Sequence, residues 1–294
     1  MPNYVDLHMH STASDGLYSP SELIHNAKEA GLRVVALTDH DTTDGIEEAT
    51  QAARALDIDF IPGVEINTDT SGGEVHVLGY FLEYQRPEFQ ATLKILRNAR
   101  ERRGERIVEL LNEEGLHIKW ERVREIAQGS VGRPHIAEAL MEAGYVQSVA
   151  EAFDKYIGNG KPAYVPRYKL TPEDATRLIV SANGLPVIAH PLTVPGLATL
   201  HELLPALKAA GLVGLETYYG QYTHEDEQVL LAIASQYNLI PTGGTDYHGP
   251  NIHPTPLGGR YVPYEAVEKL KAAASKRRGT TPPAFKLPAP IEEK

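Results

Sequence analysis

Histidines and carboxylates recur at short, regular spacings along this chain. Asp6, His8 and His10 alternate, and alternate residues of an extended chain share one face. His8 and His10 can therefore grip one cation from a single strand end. Asp15 follows in the next loop, and Thr38-Asp39-His40-Asp41 closes a second apolar run. A third run ends in Gly63-Val64-Glu65, and His76 lies inside Glu74-Val75-His76-Val77-Leu78-Gly79. His190 ends Ile188-Ala189-His190-Pro191, and Gly244-Thr245-Asp246-Tyr247-His248-Gly249 repeats the i, i+2 spacing. A solitary histidine is usually structural. Here the members share run ends and two pairs have same-face spacing, so the set reads as a metal site. Six histidines and three carboxylates are too many for one ion, and the pattern asks for two or three. Imidazole plus carboxylate without sulfur suits manganese, iron or zinc.

These residues need strands to present them. Strands are expected at Tyr4–His8, Arg33–Leu37, Asp59–Glu65, Val75–Phe81, Pro186–Ala189, Val213–Thr217 and Leu239–Gly243. Helical patterns fall between most of them, at Ser19–Ala30, Gly45–Leu56, Thr171–Asn183 and Leu197–Ala210. Ser71-Gly72-Gly73 instead suggests a hairpin between the third and fourth strands. The alternation argues for an α/β fold, with a seven-stranded barrel ahead of an open doubly wound sheet. Barrel active sites gather at the C-terminal ends of strands, where these ligand types fall. The rhythm breaks from 83 to 166, which reads as helices Pro87–Glu114, Trp120–Gln128, His135–Ala143 and Val149–Tyr156. That stretch holds thirteen basic and thirteen acidic residues, so the whole net charge of -11 sits on the remainder. The shift marks a helical subdomain at 83–166 inserted into a barrel made of 1–82 and 167–294. The tail after Thr280 is proline-rich and expected to be extended.

A chain of 294 residues with 42% hydrophobic residues can bury a large core. A pI near 5.6 argues against DNA binding by bulk positive charge. The absence of cysteine excludes disulfides, thiolate sites and cysteine nucleophiles. The start lacks the basic and apolar regions of a signal peptide, and no apolar run is long enough to span a bilayer. The expectation is a cytoplasmic protein with no membrane contact and no obligate protein partner.

Asp6-Leu7-His8-Met9-His10-Ser11, with Thr38-Asp39-His40-Asp41, Gly63-Val64-Glu65, Ala189-His190-Pro191 and Gly244-Thr245-Asp246-Tyr247-His248, resembles the PHP (polymerase and histidinol phosphatase) family. The resemblance covers the strand skeleton from Asp6 to His248. It implies a distorted seven-stranded (β/α) barrel of PHP type and a trinuclear centre that hydrolyses phosphoesters. Manganese is the first expectation for the three divalent ions, with iron or zinc as alternatives. Carried over by position, one metal takes His8, His10, Glu65 and Asp246. A second takes Asp15, His40 and His248, and a third takes Glu65, His76 and His190. On this resemblance the nucleophile would be a metal-bound hydroxide held by Glu65, Asp246 and His190. Asp6, Asp39 and Asp41 are expected to orient imidazoles or cap loops, and Glu216, at the sixth strand end, could support a metal ligand, contact substrate or be solvated.

Asp15, Gly132-Arg133-Pro134-His135-Ile136-Ala137 and Gly160-Lys161-Pro162-Ala163-Tyr164-Val165-Pro166 resemble one branch of that family. Its members act on nucleoside 3′,5′-bisphosphates and on 5′ ends of short RNA. A phosphorylated nucleotide or short RNA is thus the implied substrate. Histidinol-phosphate phosphatase, or a largely non-catalytic module, are the rival readings. Arg133 and His135 could clamp a phosphate, since arginine forks onto its oxygens, or could simply start a helix. Lys161 and Tyr164 could touch a second phosphate or a base, and His224 could line the pocket. Arg97, Arg100, Arg102, Arg103 and Arg106 alternate with Glu101, Glu105 and Glu109 and read as a solvated, salt-bridged helix face. His25, His117 and His201 read as surface or packing residues, and His253 is left open.

Overall fold

A computed structural model describes residues 4–287 apart from 71–72, 128, 130, 167–168, 194–195, 251 and 253. The Ser71-Gly72 part of the expected hairpin turn and His253 lie outside the described residues. The chain opens with β1 (Val5–Asp6), α1 (Pro20–Glu29), β2 (Val34–Leu37), α2 (Ile46–Ala55), β3 (Asp59–Thr70) and β4 (Gly73–Tyr80). Helices α3 (Pro87–Glu113), α4 (Trp120–Ala127), α5 (Arg133–Glu142), α6 (Val149–Ala152) and α7 (Pro172–Ser181) follow. Then come β5 (Leu185–Ile188), α8 (Gly196–Ala210), β6 (Gly214–Tyr219), α9 (His224–Gln236), β7 (Ile240–Gly244) and α10 (Tyr264–Arg278). Local signals set several helix starts. Ser19 and Glu22 form a capping box ahead of α1, and Thr171 caps α7 with Pro172 in its first turn.

The seven strands lie side by side in sequence order. All pairs are parallel except that β4 runs antiparallel to both β3 and β5. The outer strands also meet. Leu7 N–H donates to Gly243 O at 3.2 Å, and His10 N–H donates to Tyr247 O at 2.9 Å. The result is a nearly closed barrel with no free edge between β1 and β7, which rules out the open doubly wound alternative.

Strand periodicity explains how one barrel carries both a core and a polar mouth. Along β3 the residues Ile61, Gly63 and Glu65 share one face, and along β4 Tyr80, Leu78 and His76 do. Ile61, Leu78 and Tyr80 join Val5, Leu7, Val34, Ala36, Leu185 and Val187 in the central apolar cluster. Glu65 and His76 lie farther along the same faces, at the other end. Because β4 is reversed, its beginning lies beside the C-terminal ends of its neighbours. The apolar end is covered by α10 through Ala266, Val267, Leu270 and Ala274. Outward residues pack under helices: Val35 and Leu37 with α1 and α2, Ile188 and Leu215 with α8 and α9.

The long helix α3 serves two cores. Phe89, Leu93 and Leu96 pack with Val64, Ile66 and α7, whereas Ile107, Val108 and Leu111 pack with α4, α5 and Ile157. The expected helix Val149–Tyr156 becomes α6 followed by a wide π turn at Phe153–Ile157. Strand β3 runs to Thr70 rather than Glu65, because β4 pairs with it residue by residue to Gly73. Helices α9 and α10 had no clear pattern in the sequence.

Candidate metal centre

Glu65 is fully buried and five imidazoles converge on its carboxylate. Oε2 lies 3.2 Å from His8 Nε2, 3.2 Å from His10 Nε2 and 3.1 Å from His40 Nδ1. Oε1 lies 2.8 Å from His76 Nδ1 and 3.1 Å from His190 Nε2. Asp246 Oδ1 faces His8 Nε2 at 3.3 Å and His10 Nε2 at 3.1 Å. Asp15 faces His248 Nε2 at 3.3 Å and His40 Nε2 at 3.8 Å. The loops that deliver these groups are strained, since Asp41, His190 and Asp246 all have positive φ.

These groups fit divalent cations. Three sets have donor atoms within 4.8 Å of one another: His8, His10, Glu65 and Asp246; His10, Asp15, His40 and His248; and His40, Glu65 and His76. Donors ~2.1 Å from a tetrahedral ion lie roughly 3.4 Å apart, close to the separations seen here. Both ring nitrogens of His10, Asp15 Oδ1 and His40 Nδ1 are buried without a well-directed hydrogen bond among the described residues. A shared cation would satisfy them. The sets differ in detail from the position-by-position expectation. His10 joins the Asp15 group, and His40 joins His76 on Glu65. His190 shares Glu65 Oε1 with His76, the two ring centroids 4.9 Å apart.

Charge stabilises charge here against the cost of burial. Burial alone would raise the carboxyl pKa values, yet the surrounding imidazoles hold Asp15, Glu65 and Asp246 well below the ordinary range. Burial opposes charge on His76 and His248, but Glu65 lifts the first to about 9 and Asp15 the second to about 10. Burial wins at His40, which falls to about 3 despite Glu65 and Asp15.

The outer nitrogens are held as well. His8 Nδ1 meets Glu216 Oε1 at 3.0 Å, and Glu216 Oε2 accepts the His190 backbone N–H at 2.7 Å. His190 Nδ1 meets Thr193 Oγ1 at 2.9 Å, and His248 Nδ1 meets Asp246 O at 2.9 Å. His76 Nε2 faces Glu74 Oε2 at 3.7 Å. Glu216 is thus a fully buried anchor for His8 and for the His190 loop. The carboxylates of Asp6, Asp39 and Asp41 cap loops instead. Asp6 accepts from Thr245, Asp39 from Ser11 and Ser14, and Asp41 from Asn67 and Arg100.

A cavity of about 180 Å³ opens beside Asp15, His40 and His76, walled on its far side by Arg100, Arg103 and Arg133. Arg133 reaches Glu74 Oε1 and Ile157 O, both at 3.4 Å, and stacks 5.0 Å over Phe153. Arg100 pairs with Asp41 at 2.7 Å and is buried. This corrects the reading of the arginine-rich helix face as solvated. Arg106 does pair with Glu109 and Glu113 in solvent, but Arg100 and Arg103 point inward. The other expected substrate contacts are less direct. His135 Nδ1 accepts from Gly132 N–H at the start of α5. Lys161 and His224 are exposed, and neither is in the cavity wall. Tyr164 is outside the cavity wall and touches Arg103, whose guanidinium lies 5.6 Å over its ring. A second opening of about 390 Å³ lies on the other flank, between Glu74, His76, His190, Thr193, Tyr219 and Asp246. The Tyr219 hydroxyl donates to Asp246 Oδ2 at 3.0 Å. Among the described residues, no helix is long and apolar enough to cross a membrane.

The PHP domain family model matches residues 6–161. A 5′-3′ exoribonuclease of Haemophilus influenzae is 36% identical over 251 residues, covering 85% of this chain and 92% of its own. A 3′,5′-nucleoside bisphosphate phosphatase of Chromobacterium violaceum is 33% identical over 265 residues, covering 88% and 90%. A solved structure from Bifidobacterium adolescentis, described as a proposed metal-dependent phosphoesterase, superposes with TM-score 0.83 at 32% identity, covering 92% of this chain and 96% of that one. With a family model matched over more than half its length and such relatives along most of it, the chain belongs to the PHP domain family.

Proposed function

We propose that this protein is a metal-dependent phosphoesterase that removes the 3′-phosphate of nucleoside 3′,5′-bisphosphates and trims 5′-phosphorylated RNA from the 5′ end. His8, His10, Asp15, His40, Glu65, His76, His190, Asp246 and His248 would hold the divalent ions. One observation carries the reading: a cavity lined by Arg100, Arg103 and Arg133 shares Asp15, His40 and His76 with the candidate metal centre. Divalent cations, when bound, neutralise phosphate oxygens and make water a stronger acid. The chain supplies position. Glu65 and Asp246 fix the imidazoles around the scissile phosphate. Arg133, held loosely at 3.4 Å by each partner, is free to fork onto a second phosphate. Arg100, tied to Asp41, adds a fixed positive charge behind it. Residues 83–166 would act as an inserted subdomain whose task is to bring these arginines over the barrel mouth.

The RNA reading draws on the second opening, which meets the first at Glu74 and His76. A diester leaves the scissile phosphate with a further nucleotide attached, and that nucleotide needs an exit away from the arginines. Histidinol phosphate has one phosphate and would leave the arginine cavity without a partner. The test is a panel with manganese: adenosine 3′,5′-bisphosphate, 3′-AMP, 5′-AMP, histidinol phosphate and a short 5′-phosphorylated RNA, each against a chelated control. Preference for the bisphosphate and release of 5′-mononucleotides from RNA would support the reading. Equal turnover of histidinol phosphate would replace it with a monophosphatase, and no metal-dependent turnover would favour a non-catalytic module.

A further inference from the structure

Among the described residues, Glu74 is the one carboxylate that lines both openings, and it lies outside the proposed ligand set. Its two oxygens face different partners. Oε2 points to His76 Nε2 at 3.7 Å, the ring nitrogen that faces away from Glu65. Oε1 takes Arg133 Nη2 at 3.4 Å and Lys169 Nζ, whose side chain is only 5% exposed. The other imidazoles show what such a partner does. His8, His190 and His248 each have the nitrogen turned away from the carboxylate cluster held by Glu216, Thr193 or a backbone carbonyl. A partner of that kind fixes ring orientation and tautomer.

We infer that Glu74 is a positioning residue shared by the two halves of the site, orienting His76 toward the metal centre and tethering Arg133 until an anionic ligand takes it. The inference rests on the proposed function for the identity of that ligand. Two consequences follow from one carboxylate. Removing its charge loosens metal binding at His76, because the imidazole loses the carboxylate that faces its outer nitrogen at 3.7 Å. The same change tightens anion binding, because a phosphate no longer has to displace a carboxylate from Arg133.

Both are read without turnover. Manganese is titrated into metal-free protein by calorimetry, and 5′-AMP is titrated into metal-free protein separately. In Glu74→Gln the weakest manganese site should loosen about 10–100-fold, the usual range for losing such a partner. The Kd for 5′-AMP should fall severalfold, and this gain should vanish when Arg133→Ala is added. Glu74→Asp keeps the charge but withdraws it by one methylene, so it should also loosen manganese. Wild-type behaviour of Glu74→Asp in both titrations would mean that only long-range charge acts, and the positioning role would be wrong. A change in only one titration, or in neither, would overturn the shared role. If wild-type protein bound no 5′-AMP, the arginine clamp of the proposed function would fail and the anion half of this inference with it. The manganese titration would still decide the His76 half.

Discussion

Each oxygen of Glu65 has its own imidazoles, three on Oε2 and two on Oε1. An amide cannot serve both groups, because its NH₂ would face ring nitrogens meant for a cation. Glu65→Gln should therefore stay folded, bind fewer manganese ions by more than one equivalent, and lose more than about a hundredfold in rate. Even partners one bond removed from a metal cost 10–100-fold. Metal analysis and phosphatase assay check this, and full activity would sink the assignment. His25→Ala is the control, since His25 is exposed on α1 and should change stability by less than about 0.5 kcal/mol. Protons supply a second test. With pKa values of about 9 and about 10, His76 and His248 are protonated at pH 7.5 in the metal-free protein. A cation needs them neutral. Metal uptake should release protons and its affinity should rise with pH. Calorimetry in buffers of different ionisation enthalpy measures the release, and a buffer-independent heat would contradict it. Residue types and i, i+2 spacing made His8, His10, Asp246 and His248 legible in the sequence. Glu216 was legible only as one of three alternatives, because a lone carboxylate in a strand has no local mark of the imidazole it meets 208 residues away.

Strands and their turns decide which residues share one end of the barrel. The parallel strands were legible from apolar runs broken by ligand types. His76 looked internal to its strand, and only the antiparallel direction of β4 brings it to the same mouth. The apolar signal of helix α10 is weak for a different reason. The buried stripe of α10 is Ala266, Val267, Leu270 and Ala274, and half of it is alanine, which contributes little to an apolar pattern. The closure between β1 and β7 depends on a close approach at Gly244. A Cβ there would lie 2.5 Å from His8 N and 2.5 Å from His8 Cβ, and 2.9 Å from Asp6 Oδ1. Gly244→Ala must push β1 from β7 and displace His8. It should destabilise the protein by about 1–3 kcal/mol, as overpacking does, and weaken metal binding as well. Urea melts and manganese titration check both effects. A wild-type melt would mean that the two strands are not held this tightly.

Across the whole molecule, net charge hides the local field. The chain carries -11 overall, yet the helices between β4 and β5 turn Arg100, Arg103 and Arg133 toward the mouth of an acidic barrel. Alternating charges along α3 gave no sign of this, because the inward face of a helix depends on what it packs against. Asp41 on the barrel side and Trp120 behind Gly104 fix that rotation. In the proposed function a metal centre and an arginine cavity would read two phosphates at once. A lost charge-assisted contact costs about 1.5–3 kcal/mol, or about one to two powers of ten in kcat/KM. The most direct measurement is the ratio of kcat/KM for adenosine 3′,5′-bisphosphate to that for 3′-AMP, taken with manganese in wild type and in Arg133→Ala. The ratio should be at least about ten in wild type and fall toward one in Arg133→Ala, with 3′-AMP turnover little changed. A wild-type ratio near one, or equal damage to both substrates in Arg133→Ala, would contradict the two-phosphate account.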